Sequence, residues 1–570
     1  MMRHLVWIIT PLLCSLKGAE LNLEFCHQWD NELITLEDSQ HSANRNVQCS
    51  LSRIAYLISG LVLIDSNKES YRHQNYYGLI DLEAGRTTLN LTGLPVRKFQ
   101  AIEFTIGLET AINQSDPSKF PPKHPLNPIK NKLHWNWQEG YIFLALEGHW
   151  KTPQANGGFS YHLGNAPHRM RIKIPAAIDL TQTDVQVALN FDLAQALNAI
   201  TFQSTRSTHG RPGDPLAMQI KNQTEGAFKI ARITTVKRST AIQVTQIKAQ
   251  DFVGTPYPFK VSQNVPIPDL PKDYPLTVER VELGRRLFHD ASLSRNNSVS
   301  CVTCHQSEHA FADDQKLSTG IDNQIGRRNT MPLVNLAWKD RFFWDGRAYS
   351  LREQALISIE NETEMDASLP ALEQKLAKHP AYPSLFKNAF GTRKISAEHI
   401  GVAIEQFLLT QTSFNSKFDQ AVKGGTELSE LEKRGLELFF TEYDPRRQHY
   451  GADCFHCHGG PLFTDQAFHN NGLSANSDLG LAEITNRNSD IGKFSTPTLR
   501  NINETAPYMH DGRFATLEAV IQHYREGIHP SSTLDPNFAK HSSTGIPLSD
   551  ADSEALIAFL KALSDEKYTR

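Results

Sequence analysis

The chain has 570 residues, of which 58 are Lys or Arg and 62 are Asp or Glu, for a formal net charge of −4. At about 100–200 residues per domain that length implies two to four domains, and a charged fraction of 21% with a hydrophobic fraction of 39% excludes a disordered chain. The near balance of charge speaks against nucleic acid or an anionic membrane surface as the main partner, and seven cysteines are too few for a disulfide scaffold at this length.

Residues 1–19 carry Arg3, an apolar run from Leu5 to Leu13, then small and polar residues. This is the pattern of a secretory signal, too short to span a bilayer, with cleavage expected near Ala19. No later stretch reaches the ~18–20 apolar residues of a membrane span. The expected mature protein is exported, periplasmic or beyond, with no membrane span.

Residues 20–254 are predicted to form an all-β, sandwich-like domain. Alternating runs at Thr87–Leu91, Ala101–Leu108, Tyr141–Glu147, Met170–Ile174 and Val185–Phe191 are separated by turn signals, and such spacing favours an antiparallel sandwich or barrel over a parallel sheet. In an oxidising compartment Cys26 and Cys49 could close a disulfide. Residues 255–276 are proline-rich and predict a linker or strap. From residue 277 to 565 the periodicity turns helical, at Thr277–Phe288, Leu351–Glu360, Leu369–Ala377, Ala397–Leu409, Glu427–Phe440, Thr516–Glu526 and Ser549–Leu563. The chain is therefore multidomain, β then mainly α.

One chemical motif occurs twice in the helical half. Cys301-Val-Thr-Cys304-His305 and Cys454-Phe-His-Cys457-His458 are both C-x-x-C-H. On a short helical turn the two thiols reach the vinyl groups of one haem, and the following imidazole reaches its iron. The rival Cys₄ zinc site needs the two pairs close together and gives no reason for a histidine after each. Two covalently bound c-type haems are expected. Whether they relay electrons or act on peroxide depends on the second ligand of each iron and on a nearby acid or base. Met509, His510, His523 and Tyr524 are the candidate second ligands, and the residues alone leave that choice open.

Residues 280–565 resemble the bacterial di-haem cytochrome c peroxidase superfamily, MauG- and MbnH-like members included. The resemblance rests on Leu283-Gly-Arg-Arg-Leu-Phe288, the two C-x-x-C-H motifs, Arg328-Asn329-Thr330, Phe343-Trp344-Asp345-Gly346-Arg347, Glu364-Met365, Thr496-Pro-Thr-Leu-Arg-Asn501 and Ala506-Pro-Tyr-Met-His-Asp-Gly512. It implies two cytochrome c-like lobes, at about 280–415 and 425–565. It makes His305 the proximal ligand of a peroxidatic haem, with Glu364 as distal acid/base and Trp344 as the bridge between haems. The second haem takes His458, with Tyr524 where ordinary cytochrome c peroxidases carry Met and His523 as fallback. Ser318–Asn323 lacks the inactivating histidine of many relatives, so the first haem is expected to be open. Asn329, with the backbone oxygens of Thr505 and Pro507, matches an inter-haem calcium site, for which oxygen ligands are suited.

Residues 80–195 resemble the MbnP family of exported copper-binding proteins, through Phe104-Thr-Ile-Gly107, Ala111-Ile-Asn-Gln-Ser-Asp-Pro117, His124-Pro-Leu-Asn-Pro128, Trp135-Asn-Trp137-Gln-Glu-Gly-Tyr141 and Phe159-Ser-Tyr-His-Leu-Gly164. Members bind copper through histidines and a tryptophan oxidised to kynurenine by an MbnH partner. The resemblance makes Trp135 and Trp137 candidate substrates and His162 a copper ligand. Gln114 stands where the Asn-His-x-Asp-Pro pattern has histidine, which leaves His124 or His134 to substitute, since an amide is a poorer copper ligand than imidazole.

The expected activity is peroxide-driven oxidation of a tryptophan in the chain's own N-terminal domain, or in a second copy, by long-range electron transfer. One alternative is a conventional peroxidase fed by a small cytochrome c or copper protein. The other is a non-enzymatic copper-binding or electron-relay protein.

Overall fold

The computed structural model describes residues 18–37, 40–44, 46–136, 140–237, 254–262, 265–445, 448–473, 477–541 and 544–569. Residues 1–17 of the expected signal segment and Trp137 lie outside them, as does the 238–253 stretch preceding the proline-rich segment.

The N-terminal domain packs two sheets face to face. In one, Ala19–Trp29 lies between Asp184–Asp192 and Thr88–Leu94, with Phe228–Val236 beyond. In the other, the order is Met170–Asp179, Lys98–Ile106, Val47–Ile64, Gly140–Lys151, Asn156–Gly164 and the short Ser207–Thr208. Residues alternate between core and outer face along Ala19–Trp29, as a half-covered strand requires. The five predicted strands are present. Two pairings are parallel against expectation: Ala19–Trp29 with Asp184–Asp192, and Asn156–Gly164 with Ser207–Thr208. The strands of each pair are joined by long connections rather than hairpins, so no tight turn dictates their direction.

That alternation also corrects the disulfide expectation. Cys26 and Cys49 are both free thiols. Cys26 is on the outer phase of the first sheet, beside Asn190, whereas Cys49 is buried in the second sheet between His41 and Trp150. A one-residue step along a strand reverses the face, and these two cysteines belong to different sheets.

The proline-rich stretch straps the first helical lobe. Pro266 accepts a hydrogen bond from Trp338 Nε1 at 2.5 Å, and Tyr274 and Pro275 accept from Gln406 Nε2. Beyond it the predicted helices recur with small end shifts, and Thr277, Ser350, Ser396, Ser429, Thr516 and Ser549 cap theirs. Tyr382–Phe390 and Lys417–Val422 are additional helices. Each lobe crosses a helix preceding its C-x-x-C-H motif with the lobe's last long helix: Val278–Phe288 with Ala397–Leu409, and Glu430–Phe440 with Asp550–Lys561. The first lobe has its own apolar core. The second lobe's core runs continuously into that of the β domain.

Candidate functional site

Both motifs fold as a single tight turn. His305 N–H donates to Cys301 O and His458 N–H to Cys454 O, each at 2.9 Å, which puts two thiols and one imidazole on the same wall. His305 Nδ1 bonds to Phe311 O at 2.7 Å, and His458 Nδ1 to Phe463 O at 3.1 Å. Phe311 and Phe463 both adopt left-handed backbone, φ +60° and +52°, which turns each carbonyl back onto its histidine. With Nδ1 held by a carbonyl, Nε2 keeps its lone pair for a ligand.

The first pair and His305 line a cavity of about 700 Å³, together with Phe288, Trp344, Arg347, Glu364 and Met365. His305 is the sole histidine of that lining among the described residues. Ser318–Asn323 packs against the segment that carries Glu364: Ile321 N–H donates to Glu364 O, and a Cβ on Gly320 would stand 2.1 Å from Thr363 O. Glu364 Oε1 accepts from Asn361 Nδ2 at 2.8 Å, and burial raises its carboxyl above the usual range.

The second pair and His458 line a cavity of about 190 Å³ with Met509, His510 and Tyr524. Asn471 Nδ2 lies 3.3 Å from Tyr524 Oη and 3.5 Å from Met509 Sδ. Burial pushes the Tyr524 phenol up to about 12, so its ionisation calls for a cation in the cavity. His510 stacks on Phe494 with centroids 3.6 Å apart. His523 is not part of the lining, and its Nε2 bonds to Asn471 O at 3.0 Å.

The two cavities share a wall. Trp344, Asn329, Thr330, Pro332 and Thr496 line both. Trp344 Nε1 donates to Asn329 O at 2.8 Å, while Asn329 Nδ2 lies near Gln315 O and Lys316 O. Thr505 and Pro507 reach the second cavity's side of that wall. Arg328, on the first cavity's lining beside it, is paired with Asp345 and Asp478 and lies over the Phe494 ring.

The comparisons agree with this geometry. Residues 278–427 match the family model for di-haem cytochrome c peroxidase, and residues 18–211 match MbnP. The methylamine utilization protein MauG of Methylorubrum extorquens is 34% identical over 345 residues, 60% of this chain and 92% of the relative. The chain belongs to the di-haem cytochrome c peroxidase family. The cytochrome c551 peroxidase of Nitrosomonas europaea is 33% identical over 46% of this chain and 77% of its own length. A crystal structure of a MauG-like protein associated with microbial copper homeostasis is 32% identical, covering 55% of this chain and 99% of its own, with a TM-score of 0.49.

Family membership implies two c-type haems, and the residues fit them. Each motif has its own cavity, each proximal imidazole has Nδ1 occupied, and the two cysteine pairs line different cavities, which is incompatible with a shared Cys₄ zinc site.

In the MbnP domain the structure separates the expected copper residues. Gln114 is exposed at a helix end, and His124 stacks on Phe120 with Nδ1 accepting from Leu126 N–H. His134 and His162 are neighbours on a small cavity that also includes Trp135, Phe455 and His456. Burial depresses both imidazoles to about 4. Trp135 is 3% exposed, and its carbonyl accepts from Gly460 N–H at 3.4 Å, directly after the second C-x-x-C-H motif. Sequence reasoning missed the rest of this interface: His209, Glu147, Glu442 and Lys540, and His456 inside the motif itself. Histidines at 209 and 456 carry no local pattern that could have found them.

Proposed function

We propose that the chain is an exported oxidoreductase that consumes hydrogen peroxide and draws the required electrons from Trp135 of its own MbnP domain, carrying that ring towards kynurenine. Held by the two C-x-x-C-H motifs, the haems would supply the redox chemistry that reduces peroxide and stores its oxidising equivalents. The protein's part begins with Glu364. As a carboxylate it takes the proton from the near peroxide oxygen; as an acid it returns that proton to the departing oxygen. Burial keeps its proton affinity above that of an exposed glutamate, which suits both halves of the task. Two electrons and two protons convert each peroxide to two waters, and the tryptophan ring that gives up those two electrons takes one oxygen from water and releases the two protons.

Trp344, on the wall common to both cavities, carries charge between the two sites. Tyr524 lines the same cavity as His458 and would help hold the second haem's iron, where a phenolate would favour oxidised iron more than a thioether would. Asn329 with the Thr505 and Pro507 carbonyls would hold a calcium ion, which would stiffen the shared wall. One observation carries the reading of the substrate: Trp135 lies buried against the loop that follows His458, so an electron leaves it without the ring entering either haem cavity.

Peptide mass spectrometry of the holoprotein, before and after limited peroxide, tests this. Oxygen incorporation at Trp135 that disappears in Glu364→Gln supports it. An unmodified Trp135 beside rapid peroxide consumption with a reduced cytochrome would move the assignment to a conventional peroxidase.

A further inference from the structure

Three histidines converge where the MbnP domain meets the second haem lobe. His162 is on the strand Asn156–Gly164, His209 follows the short strand Ser207–Thr208, and His456 lies between the two cysteines of the second motif. Their ring centroids are 5.3, 5.3 and 4.8 Å apart, and one nitrogen from each lies within 4.8 Å of one from each of the others. The side chains are 3%, 8% and 2% exposed.

His162 Nδ1, His209 Nε2 and His456 Nδ1 are buried and meet no hydrogen-bond partner among the described residues. Native interiors seldom leave one such nitrogen unsatisfied, and here there are three together. The remaining nitrogens face charged side chains, His209 Nδ1 at ion-pair distance without hydrogen-bond geometry. His162 Nε2 is 2.8 Å from Glu147, itself paired with Arg53, and His209 Nδ1 is 2.5 Å from Glu442. Lys540 Nζ, 3.1 Å from His456 Nε2, also pairs with Glu442 and Asp453, so it keeps two carboxylates if a cation takes the cluster. A carboxylate behind a ligating imidazole is the arrangement that orients it for a metal.

We propose that His162, His209 and His456 form an inter-domain site for one first-row transition-metal ion of the copper or zinc class. Three imidazoles suit those ions and not calcium or magnesium, which take oxygen ligands. A fourth position opens on the adjoining cavity of about 40 Å³, large enough for a water. The site goes beyond the copper expectation of the sequence, because one ligand belongs to the haem-attachment motif and neither Gln114 nor His124 takes part. It stands independently of whether Trp135 is oxidised.

The test uses the full chain with both haems, stripped by chelator and titrated separately with copper and zinc in the absence of peroxide. Metal per chain is measured after gel filtration, and affinity by competition with a chromophoric chelator. One ion per chain is expected from at least one of the two metals, and the tighter one names the occupant. His162→Ala, His209→Ala and His456→Ala should each weaken it at least ~10–100-fold, the loss typical of supporting groups alone. Haem absorbance checks that His456→Ala keeps its haem, and His209→Ala, outside the motif, gives the same answer if it does not. No retained metal in the unaltered protein would overturn the proposal. So would wild-type affinity in His209→Ala.

Discussion

Glu364 is a carboxyl held between two demands, burial that favours the neutral acid and a proposed role that needs the anion. Its raised pKa places the acidic limb of the peroxide reaction above the ~4.3 of an exposed glutamate, with the rate falling as pH drops through that raised value. Glu364→Gln is expected to lower the peroxide rate about 10²–10⁴-fold and to abolish that limb, measured by stopped-flow absorbance on protein with both haems. A second residue-scale prediction concerns His469, clamped by Asp465 at 2.7 Å and Asp535 at 2.5 Å. The carboxylates raise the imidazole well above its usual range, and it holds both of them low. The imidazolium's contribution is complete below ~6.5 and is lost as pH rises through its raised value, whereas the carboxylates' contribution is present above ~3.9 and fades as pH falls through their depressed values. His469→Gln leaves two buried carboxylates facing each other. It should cost about 3–5 kcal/mol, read as a lower thermal midpoint at neutral pH.

At the scale of elements, the two lobes solve the same packing problem with the same residue. A Cβ on Gly284 would lie 1.8 Å from Ala403 O, and one on Gly435 would lie 2.0 Å from Ala555 O. The motif-bearing half of each lobe is thereby drawn onto its last long helix at a backbone-to-backbone crossing. Alanine improves helix propensity by ~1 kcal/mol, yet here it meets backbone that cannot swing aside. Gly284→Ala and Gly435→Ala are each expected to destabilise by ~1–3 kcal/mol net, checked by thermal unfolding of the holoprotein. The helices were readable from their apolar periodicity, and the start at Ser549 from its cap and first-turn acids, whereas the start expected at Glu427 falls short of the true cap, Ser429. The 18-residue strand Val47–Ile64 was not read, since it is buried on both faces for much of its length and lacks the alternation that marks a half-covered strand.

For the whole molecule, the continuous apolar core joins the β domain to the second lobe, while Ile129 packs against the separate core of the first. Polar contacts secure the joint: Lys493 with Glu37 at 2.7 Å, His149 with Leu534 O at 2.8 Å, and Arg206 with Lys540 O at 3.0 Å. Gly158 presses on the Pro536–Ala539 turn, where a Cβ would lie 2.3 Å from Pro536 O. Trp135 is held to the haem-bearing half by this docking. Its oxidation should then be intramolecular, with a rate independent of protein concentration across a hundredfold dilution, followed by quenched-flow peptide mass spectrometry. A rate proportional to concentration would make a second copy the substrate instead.

By itself the sequence determined the haem attachment, the order of a β half and a helical half, and most helix ends. Those features are local: two cysteines and a histidine within five residues close one turn, and capping or periodicity needs only a few neighbours. Tertiary structure decided the rest. Strand alternation kept Cys26 and Cys49 apart, and His523 turned to a backbone carbonyl while Tyr524 and Met509 reached the second cavity. His162, His209 and His456 met only because two domains dock. Which of the many histidines face one another depends on strand direction, sheet face and domain contact, and none of these leaves a pattern in a short stretch of chain.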